Sequence, residues 1–128
     1  MRTACPFCTR LNASDPLFRN ELGAVIADAI PVSPGHLLVV PTRHESDFFA
    51  LSGDEQHALV VLVTRARAWL HEHHQPAGYN VGINVGEAGG QTVGHAHVHV
   101  IPRFAGDVDD PRGGVRWVLP ARAAYWRP

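Results

Sequence analysis

Apolar residues follow two different spacings along this chain. In several segments they either alternate with other residues or form near-continuous runs, and both patterns are typical of β-strands. Strands are therefore predicted at 23–30, 36–41, 79–85, 94–101 and 113–120. The second of these segments is apolar almost throughout, which favours a central position in a sheet. Between residues 52 and 74 the apolar positions instead recur every three or four residues, which indicates a helix.

The predicted helix has a strong start signal. Ser52 and Glu55 have the spacing of a capping box, in which each residue satisfies the other's backbone N–H. Pro76 and Gly78 cannot continue a helix, so we expect it to end near His74.

The elements together predict one domain. At 128 residues the chain is long enough to bury a sizeable core, and 45% of its residues are apolar. Only a short loop joins the strands at 79–85 and 94–101, which predicts an antiparallel hairpin. We expect an α+β fold, with a single domain over residues 1–128. One long helix packs on a mainly antiparallel sheet of about five strands.

Charge and hydropathy exclude several classes of protein. The formal net charge is −1, so no basic surface for duplex nucleic acid or a membrane is indicated. All eleven basic residues are arginine, and the absence of lysine excludes a lysine nucleophile and a P-loop. The chain has no apolar run of about eighteen residues and no apolar leader core after Met1. We expect a cytoplasmic protein that binds neither nucleic acid nor membranes.

The strand predicted at 94–101 carries three histidines. His95, His97 and His99 occupy alternate positions, so their imidazoles are expected to share one exposed face of the strand. The residues between them are expected to enter the core: Ala96, Val98 and Val100. Imidazole titrates near neutral pH, so such a row can bind metal, move protons or attack phosphorus.

Glycine is frequent in the loop before these histidines. Residues 86–94 contain four glycines, which let the backbone turn tightly and approach a ligand closely. Exposed N–H groups in such a loop form a concave site for anions. Directly before three imidazoles, this loop indicates a phosphate held against histidine.

Cys5 and Cys8 form a C-x-x-C motif near the start of the chain. In a reducing compartment this spacing favours a zinc site over a disulfide, and zinc then needs two further ligands, usually histidine. Nine histidines are available. A redox motif and two structural cysteines remain as alternatives, although the strand-then-helix setting of a redox motif is absent.

The segment 91–103, Gln-Thr-Val-Gly-His-Ala-His-Val-His-Val-Ile-Pro-Arg, resembles the signature of the histidine triad (HIT) superfamily, His-φ-His-φ-His-φ-φ with φ apolar. The likeness extends to 34–41 and to 105–107, so it covers most of the chain. It is closest to the branch that includes the fragile histidine triad and bacterial diadenosine-polyphosphate hydrolase-like proteins. Thr92 agrees with that branch, whereas the phosphoramidase branch usually has serine there.

The resemblance implies a nucleotide hydrolase that acts on dinucleoside polyphosphates or nucleoside phosphoramidates through a covalent nucleotidyl-histidine intermediate. His97 then attacks the α-phosphorus, while His99 contacts the same phosphate and can protonate the leaving group. The residues implied for nucleotide and phosphate binding are Asp28, His36, Asn84, Gly90, Gln91, Thr92 and His99. His99 also favours hydrolysis, because related uridylyltransferases carry glutamine at that position.

The resemblance also supplies the missing zinc ligands. It implies a structural zinc ion held by Cys5, Cys8, His44 and His95, and no metal is needed at phosphorus. Magnesium is expected only as a companion of a polyphosphate substrate. The implied partners are a purine nucleotide and a second copy of the chain in a homodimer.

Two other functions remain open. The three histidines match the ligand set of a three-histidine catalytic metal site, which would make the protein a metal-dependent hydrolase. The other alternative is a nucleotide-binding regulatory protein without turnover. Near the end of the chain, Trp117, Tyr125 and Trp126 are suited either to stacking on a base or to packing.

Overall fold

The computed structural model describes residues 4–128. In this part of the chain the strands are β1 (Phe18–Arg19), β2 (Gly23–Ala27), β3 (Leu37–Pro41), β4 (Gly78–Ile83) and β5 (Val98–Arg103). The helices are α1 (Pro6–Leu11), α2 (Gly53–His74) and α3 (Pro120–Ala123), with 3-10 turns at Phe48–Ala50, Glu87–Gly89 and Gly114–Val118. None of these helices combines the length and the apolar character needed to cross a bilayer. Two predictions concern residues 1–3, namely that the domain starts at residue 1 and that no leader is present. These residues lie outside the described part of the chain, so the structure tests neither prediction.

The strands form one antiparallel sheet in the order β1-β2-β3-β5-β4. β3 is the central strand, as its apolar run predicted. The predicted hairpin is present, because β4 pairs with β5 along its whole length. His99 of β5 has Leu38 of β3 and Gly82 of β4 as its cross-strand neighbours. The α+β fold, with an antiparallel five-stranded sheet and one long helix, is confirmed.

Helix α2 covers one face of the sheet, and its predicted capping box is present. The Oγ of Ser52 accepts from the N–H of Glu55 at 3.1 Å, and the Glu55 carboxylate accepts from the N–H of Ser52 at 2.9 Å. The guanidinium of Arg43 donates to the same carboxylate and, with the Ser52 N–H, lowers the pKa of Glu55 to about 2. The carboxylate of Glu55 therefore stays charged at neutral pH. The buried stripe of α2 that meets the sheet is Leu59, Leu62, Ala66 and Leu70.

The opposite face of the sheet is only partly covered. A second apolar cluster lies there, formed by Phe7, Leu11, Ala24, Ile26, Leu38 and Val40. Its first two members belong to α1, so the start of the chain packs over β2 and β3. Because both faces of these strands are covered, they read as continuous apolar runs in the sequence. The rest of this face, around His99 and Ile101, stays half-buried and is open to a ligand.

The strand predicted at 113–120 is wrong. Gly113 and Gly114 have φ angles of 95° and 47°, in the left-handed region that interrupts an extended chain. The backbone then closes a 3-10 turn at Gly114–Val118, and Pro120 begins α3. The residues therefore form a folded segment next to β4 instead of the predicted fifth strand. The fifth strand of the sheet is the short β1, which was not predicted.

The extent of the histidine strand also differs from the prediction. β5 begins at Val98, so His95 and His97 precede it. The N–H of Ala96 donates to the carbonyl of Glu45 at 2.7 Å. This contact holds the first two histidines beside the residues that follow β3, and only His99 lies on the regular ladder.

Candidate functional site

The side chains of Cys5 and Cys8 meet because α1 begins between them. Cys5 is the N-cap residue of α1, and its Sγ accepts from the N–H of Cys8 at 3.4 Å. Pro6 occupies the first helical turn, where no N–H is needed. Residues three apart at a helix start lie on the same side, so both sulfur atoms face one point.

Two histidines complete a cluster with these cysteines. His44 follows β3 and His95 precedes β5, and one ligand atom from each of the four residues lies within 4.8 Å of the others. The Nδ1 of His95 is 3.2 Å from the Nδ1 of His44 and 3.5 Å from the Sγ of Cys5. The Sγ of Cys8 is 3.3 Å from the Nδ1 of His44. A tetrahedral zinc ion with bonds of about 2.0–2.3 Å separates its ligand atoms by roughly 3.3–3.8 Å. The predicted ligands are thus brought together at distances that fit a tetrahedral metal ion.

The ring of His95 is oriented as a metal ligand requires. Its Nε2–H donates to the carbonyl of Pro41 at 2.8 Å, which leaves Nδ1 unprotonated and facing the sulfur atoms. The side chain is fully buried, and burial lowers the pKa of His95, although the Pro41 carbonyl opposes this. Two thiols with two imidazoles form a soft donor set that suits zinc far better than magnesium or calcium.

His97 is enclosed, and its predicted place on an exposed face is wrong. The residue is only 7% exposed, because Phe7 of α1 packs edge-on against the imidazole with ring centroids 5.1 Å apart. Its Nδ1–H donates to the carbonyl of His95 at 2.9 Å. In the neutral ring the remaining nitrogen, Nε2, therefore carries the lone pair.

His99 belongs to a hydrogen-bonded chain of side chains. The N–H of Val32 donates to Nδ1 of His36 at 3.2 Å, so the neutral ring of His36 carries its proton on Nε2. That Nε2–H lies 3.0 Å from Nδ1 of His99 and 3.4 Å from the carboxylate of Asp28. His99 accepts at Nδ1, so its own proton is on Nε2. Nε2–H can therefore donate a hydrogen bond to a group bound beside it.

Burial favours the neutral form of both of these histidines. It lowers the pKa of His36 and of His99, and neighbouring imidazoles, His97 first, lower that of His99 further, while the charge of Asp28 opposes the shift in each case. Asp28, His36 and His99 also lie close enough to share a metal ion. A protonated Nε2 on His36 has no lone pair for a metal, however. The contacts therefore favour a proton-carrying network over a second metal site.

We expect His36 to make the fold less stable below about pH 6.5. The unfolded chain takes up a proton at His36 near that pH, whereas the folded chain does so only at lower pH, so stability falls as the pH falls through this interval. His36→Asn keeps an acceptor for the N–H of Val32 but removes the titration. Its free energy of unfolding should therefore depend less steeply on pH, and urea unfolding at several pH values measures this. Parallel pH dependence in the native protein and the variant would contradict the prediction.

Some backbone N–H groups of the glycine-rich loop find their hydrogen-bond acceptors within the loop itself. The N–H groups of Gly90 and Gln91 donate to carbonyls of Glu87 and Gly86 within the loop. Among the described residues, the N–H groups of residues 92–94 have no acceptor. The N–H groups of residues 92–94 are therefore left for an anion directly before His95. The chain turns toward them at Gly90, whose φ of 90° lies in the left-handed region.

The side chain of Gln91 stabilises the conformation of this loop through three hydrogen bonds. Its side-chain amide donates to the carbonyls of Ser46 at 2.7 Å and Val93 at 3.0 Å, and its Oε1 accepts from the N–H of Gly86 at 3.0 Å. The side chain expected to orient phosphate is thus occupied with holding the loop in place. Thr92 and Asn84, the other polar residues predicted here, are both exposed.

A cavity of about 430 Å³ opens beside His99. His36 and Asn84 also line it, and its apolar wall comes from the C-terminal segment, which supplies Val115, Trp117 and Val118. The sequence pattern does not reveal this wall, because residues 113–120 were predicted to form a strand and Trp117 was suited either to stacking on a base or to packing. The adjacent glycines at 113–114 were the available signal that the segment turns back.

These features define a class of protein in which an oriented histidine lies between a Cys/His cluster and an open cavity on an antiparallel sheet. The family model described as "HIT domain" matches residues 10–106. The chain belongs to this family, as its histidine signature predicted.

Individual relatives agree with the assignment. A Mycobacterium tuberculosis protein named AP-4-A phosphorylase is 38% identical over 92 residues, which are 71% of this chain and 47% of the relative. The asymmetrical bis(5'-nucleosyl)-tetraphosphatase of Schizosaccharomyces pombe is 33% identical over 76% of this chain and 53% of its own length. The chain therefore spans about half the length of these curated relatives. A solved structure of a Zn-bound histidine triad family protein from Mycobacterium smegmatis is 29% identical, with a TM-score of 0.74, and covers 96% of this chain and 95% of that one.

Proposed function

We propose that this protein cleaves dinucleoside polyphosphates or nucleoside phosphoramidates through a covalent nucleotidyl intermediate on His97. The observation that carries the proposal is the hydrogen bond from Nδ1–H of His97 to the carbonyl of His95 at 2.9 Å. It fixes the tautomer in which Nε2 is a free nucleophile and gives the ring a single orientation. The AP-4-A phosphorylase and tetraphosphatase relatives support this class of substrate.

The two half-reactions follow from the protonation of the site. Nε2 of His97 attacks the α-phosphorus, the P–N bond forms and the bond to the leaving group breaks, while Nε2–H of His99 donates a hydrogen bond to the departing group. A polyphosphate leaves as its anion, and an amine leaving group takes its proton from the solvent. Water then attacks the same phosphorus, the P–N bond breaks and returns the lone pair to Nε2 of His97, and the proton lost by the water passes to the solvent. Two in-line displacements restore the enzyme and predict overall retention of configuration at phosphorus.

Binding roles are proposed for the surrounding residues. The N–H groups of residues 92–94 stabilise charge that develops on the phosphate oxygens, with the side chains of Thr92 and Asn84 beside them. Asp28 binds the ribose hydroxyls, and His36 acts as a positioning residue that sets the tautomer of His99.

The Cys/His cluster is proposed as a structural zinc site. Cys5, Cys8, His44 and His95 fill all four tetrahedral positions, which leaves none for a substrate. This arrangement counts against a three-histidine catalytic metal site, because Nδ1 of His95 faces the cysteines and Nδ1 of His97 faces a carbonyl. When zinc is bound, its contribution is to hold α1, and with it Phe7, against the nucleophile. Any magnesium would come with the polyphosphate, since imidazoles are poor ligands for that ion.

A substrate screen tests the proposed function. The purified protein is incubated with diadenosine tetraphosphate, diadenosine triphosphate or adenosine 5'-phosphoramidate, with and without inorganic phosphate, and the products are separated by chromatography. Release of AMP in the absence of phosphate supports hydrolysis, whereas ADP formed only with phosphate identifies phosphate as the acceptor. Binding without any turnover would overturn the proposal in favour of a regulatory nucleotide-binding protein.

We also expect a homodimer that forms along β4. This strand is at the edge of the sheet, and Val81 on it and Val60 on α2 are 45% and 58% exposed. An unpaired edge beside exposed valines is a surface that folded proteins normally cover. Analytical ultracentrifugation at micromolar concentration should give twice the mass of the 13.9 kDa chain. A monomer at that concentration, or a dimer unaffected by Val81→Asp, would contradict the predicted interface.

A further inference from the structure

The turn between β2 and β3 carries His36 at its end, yet the middle of this turn is exposed to solvent. The turn spans residues 28–36, and the N–H of Asp28 closes its base by donating to the carbonyl of His36 at 3.0 Å. Residues 29–32 are all exposed, and Val32 is 72% exposed. Burial of side chains therefore does little to hold the middle of the turn in place.

A hydrogen bond from Ser33 joins the turn to β5. The hydroxyl donates to the carbonyl of Pro102 at 2.7 Å, and Ser33 is half-buried between exposed neighbours. In the described part of the chain, this is the one hydrogen bond that joins residues 29–35 to another element. The register of β3 with β5 ends at the pair Leu37–Val100, so β3 does not reach Pro102. The serine hydroxyl therefore connects the two elements just beyond the end of the ladder.

The neighbour of Ser33 in the turn acts on the tautomer of His36. The N–H of Val32 donates to Nδ1 of His36 at 3.2 Å, so Nε2 carries the proton and faces Nδ1 of His99 at 3.0 Å. If Val32 moves away, Nδ1 of His36 can hold the proton instead. The lone pair on Nε2 would then face His99, whose own proton would have to move to Nδ1. His99 would no longer present an N–H to the departing group.

Two further groups face these rings. The carboxylate of Asp28 is 3.4 Å from Nε2 of His36 and favours a proton on that atom, although this distance is long for a hydrogen bond. The imidazole of His97 meets His99 edge-on, with ring centroids 5.0 Å apart. Asp28 is held by the base of the turn, so its contact persists when the middle of the turn moves. Without the N–H of Val32, the long contact with Asp28 would be left to select the tautomer of His36.

We infer that Ser33 is a positioning residue for the proposed reaction. Its hydroxyl holds Val32 against His36, and through the tautomer of His36 it maintains the N–H that His99 presents to the leaving group. Ser33 acts without touching the substrate. The catalytic consequence rests on the proposed function, whereas the tautomers are properties of the folded protein alone.

Kinetics of two serine variants test the catalytic consequence. Ser33→Ala should lower kcat about three- to tenfold for whichever substrate the protein cleaves, the range expected for the loss of one neutral hydrogen bond. KM should stay within about twofold, since Asp28 and the N–H groups of residues 92–94 are unchanged. Ser33→Thr keeps the hydroxyl and should restore most of the loss. An unchanged kcat in Ser33→Ala would overturn the inference.

Ser52→Ala is the matched control. It also replaces a hydroxyl with hydrogen, and it removes the cap of α2 at a similar cost in stability, far from His36. Its kcat should equal that of the native protein, and thermal unfolding verifies that each variant is folded. A loss of kcat in Ser52→Ala as large as in Ser33→Ala would show that lowered stability is the cause, which contradicts the inference.

A double variant tests whether Ser33 acts through His36. His36→Asn has no imidazole tautomer to set, so adding Ser33→Ala to it should lower kcat no further. If the two losses multiply instead, Ser33 acts by another route and the inference is overturned.

Nuclear magnetic resonance of the imidazole nitrogens gives a readout that needs no turnover. In protein labelled at histidine and kept at alkaline pH, where the rings are neutral, both His36 and His99 should be protonated on Nε2. Ser33→Ala should shift part of each population to the Nδ1–H tautomer. This shift supports the inference even if the native protein cleaves no substrate and the proposed function fails. Native tautomers in Ser33→Ala would overturn the inference, whatever the activity.

Discussion

Replacing His97 with asparagine should reduce kcat by about 10⁴-fold or more, because no other group in the site can form the P–N bond. The asparagine amide can still donate to the carbonyl of His95, so the local structure should persist. Nucleotide affinity should stay within a few-fold of the native value, since Asp28 and residues 92–94 are unchanged. Steady-state turnover and equilibrium binding of AMP measure the two quantities separately.

Trapping of the covalent intermediate provides an independent test of the proposed mechanism. Rapid quenching into base of the native protein with an α-labelled substrate should trap a nucleotidyl adduct that is stable in alkali and labile in acid. His57→Asn is a matched control, because His57 is an exposed histidine of α2 away from the site. Undiminished turnover in His97→Asn, or inversion at a chiral α-phosphorus, would exclude the mechanism and favour direct attack by water.

The double variant Cys5→Ser, Cys8→Ser should lose its zinc and about 3 kcal/mol or more of stability, a decrease in Tm of roughly 10 °C. Two of the four ligands are then gone, and the remaining pair of imidazoles binds zinc weakly. Activity should fall as a consequence, because α1 no longer holds Phe7 against His97. Metal content by mass spectrometry and Tm by circular dichroism give both values.

His44→Asn distinguishes metal loss from damage to the core. His44 is exposed, whereas His95 is buried beside the nucleophile, so the substitution removes a ligand with little change in packing. It should lower zinc affinity and Tm in the same direction as the cysteine variant. A native protein that contains no zinc but is folded and active would show that the cluster has another role.

The sheet and the long helix were predictable because their signals are local. Ser52 and Glu55 define the helix start by side-chain geometry alone, and the run at 37–41 shows directly that both faces of β3 are covered. The four members of the Cys/His cluster could be named through the family resemblance, although they come from three distant parts of the chain. No pattern within any one of those parts places them together.

The errors have a common physical origin in contacts between distant residues. The exposure of His97 depends on Phe7, which is placed by the fold and not by the alternation around His97. The amide of Gln91 is taken by the carbonyl of Ser46, a partner 45 positions away. At 113–120 the valines and tryptophan favour a strand, but two positive-φ glycines and Pro120 outweigh that preference.

The sequence distance between the cluster residues also affects how the protein is made. Cys5 and His95 are 90 positions apart, and His44 and His95 are 51 apart. At a synthesis rate of about 5–20 residues per second, Cys5 is added to the chain roughly 5–20 s before its last partner. During that interval the cysteines form only half of a coordination shell, exposed to oxidants and to competing metals. The proposed zinc site can therefore be completed only after His95 has been made, and the proposed nucleophile, His97, follows it two residues later.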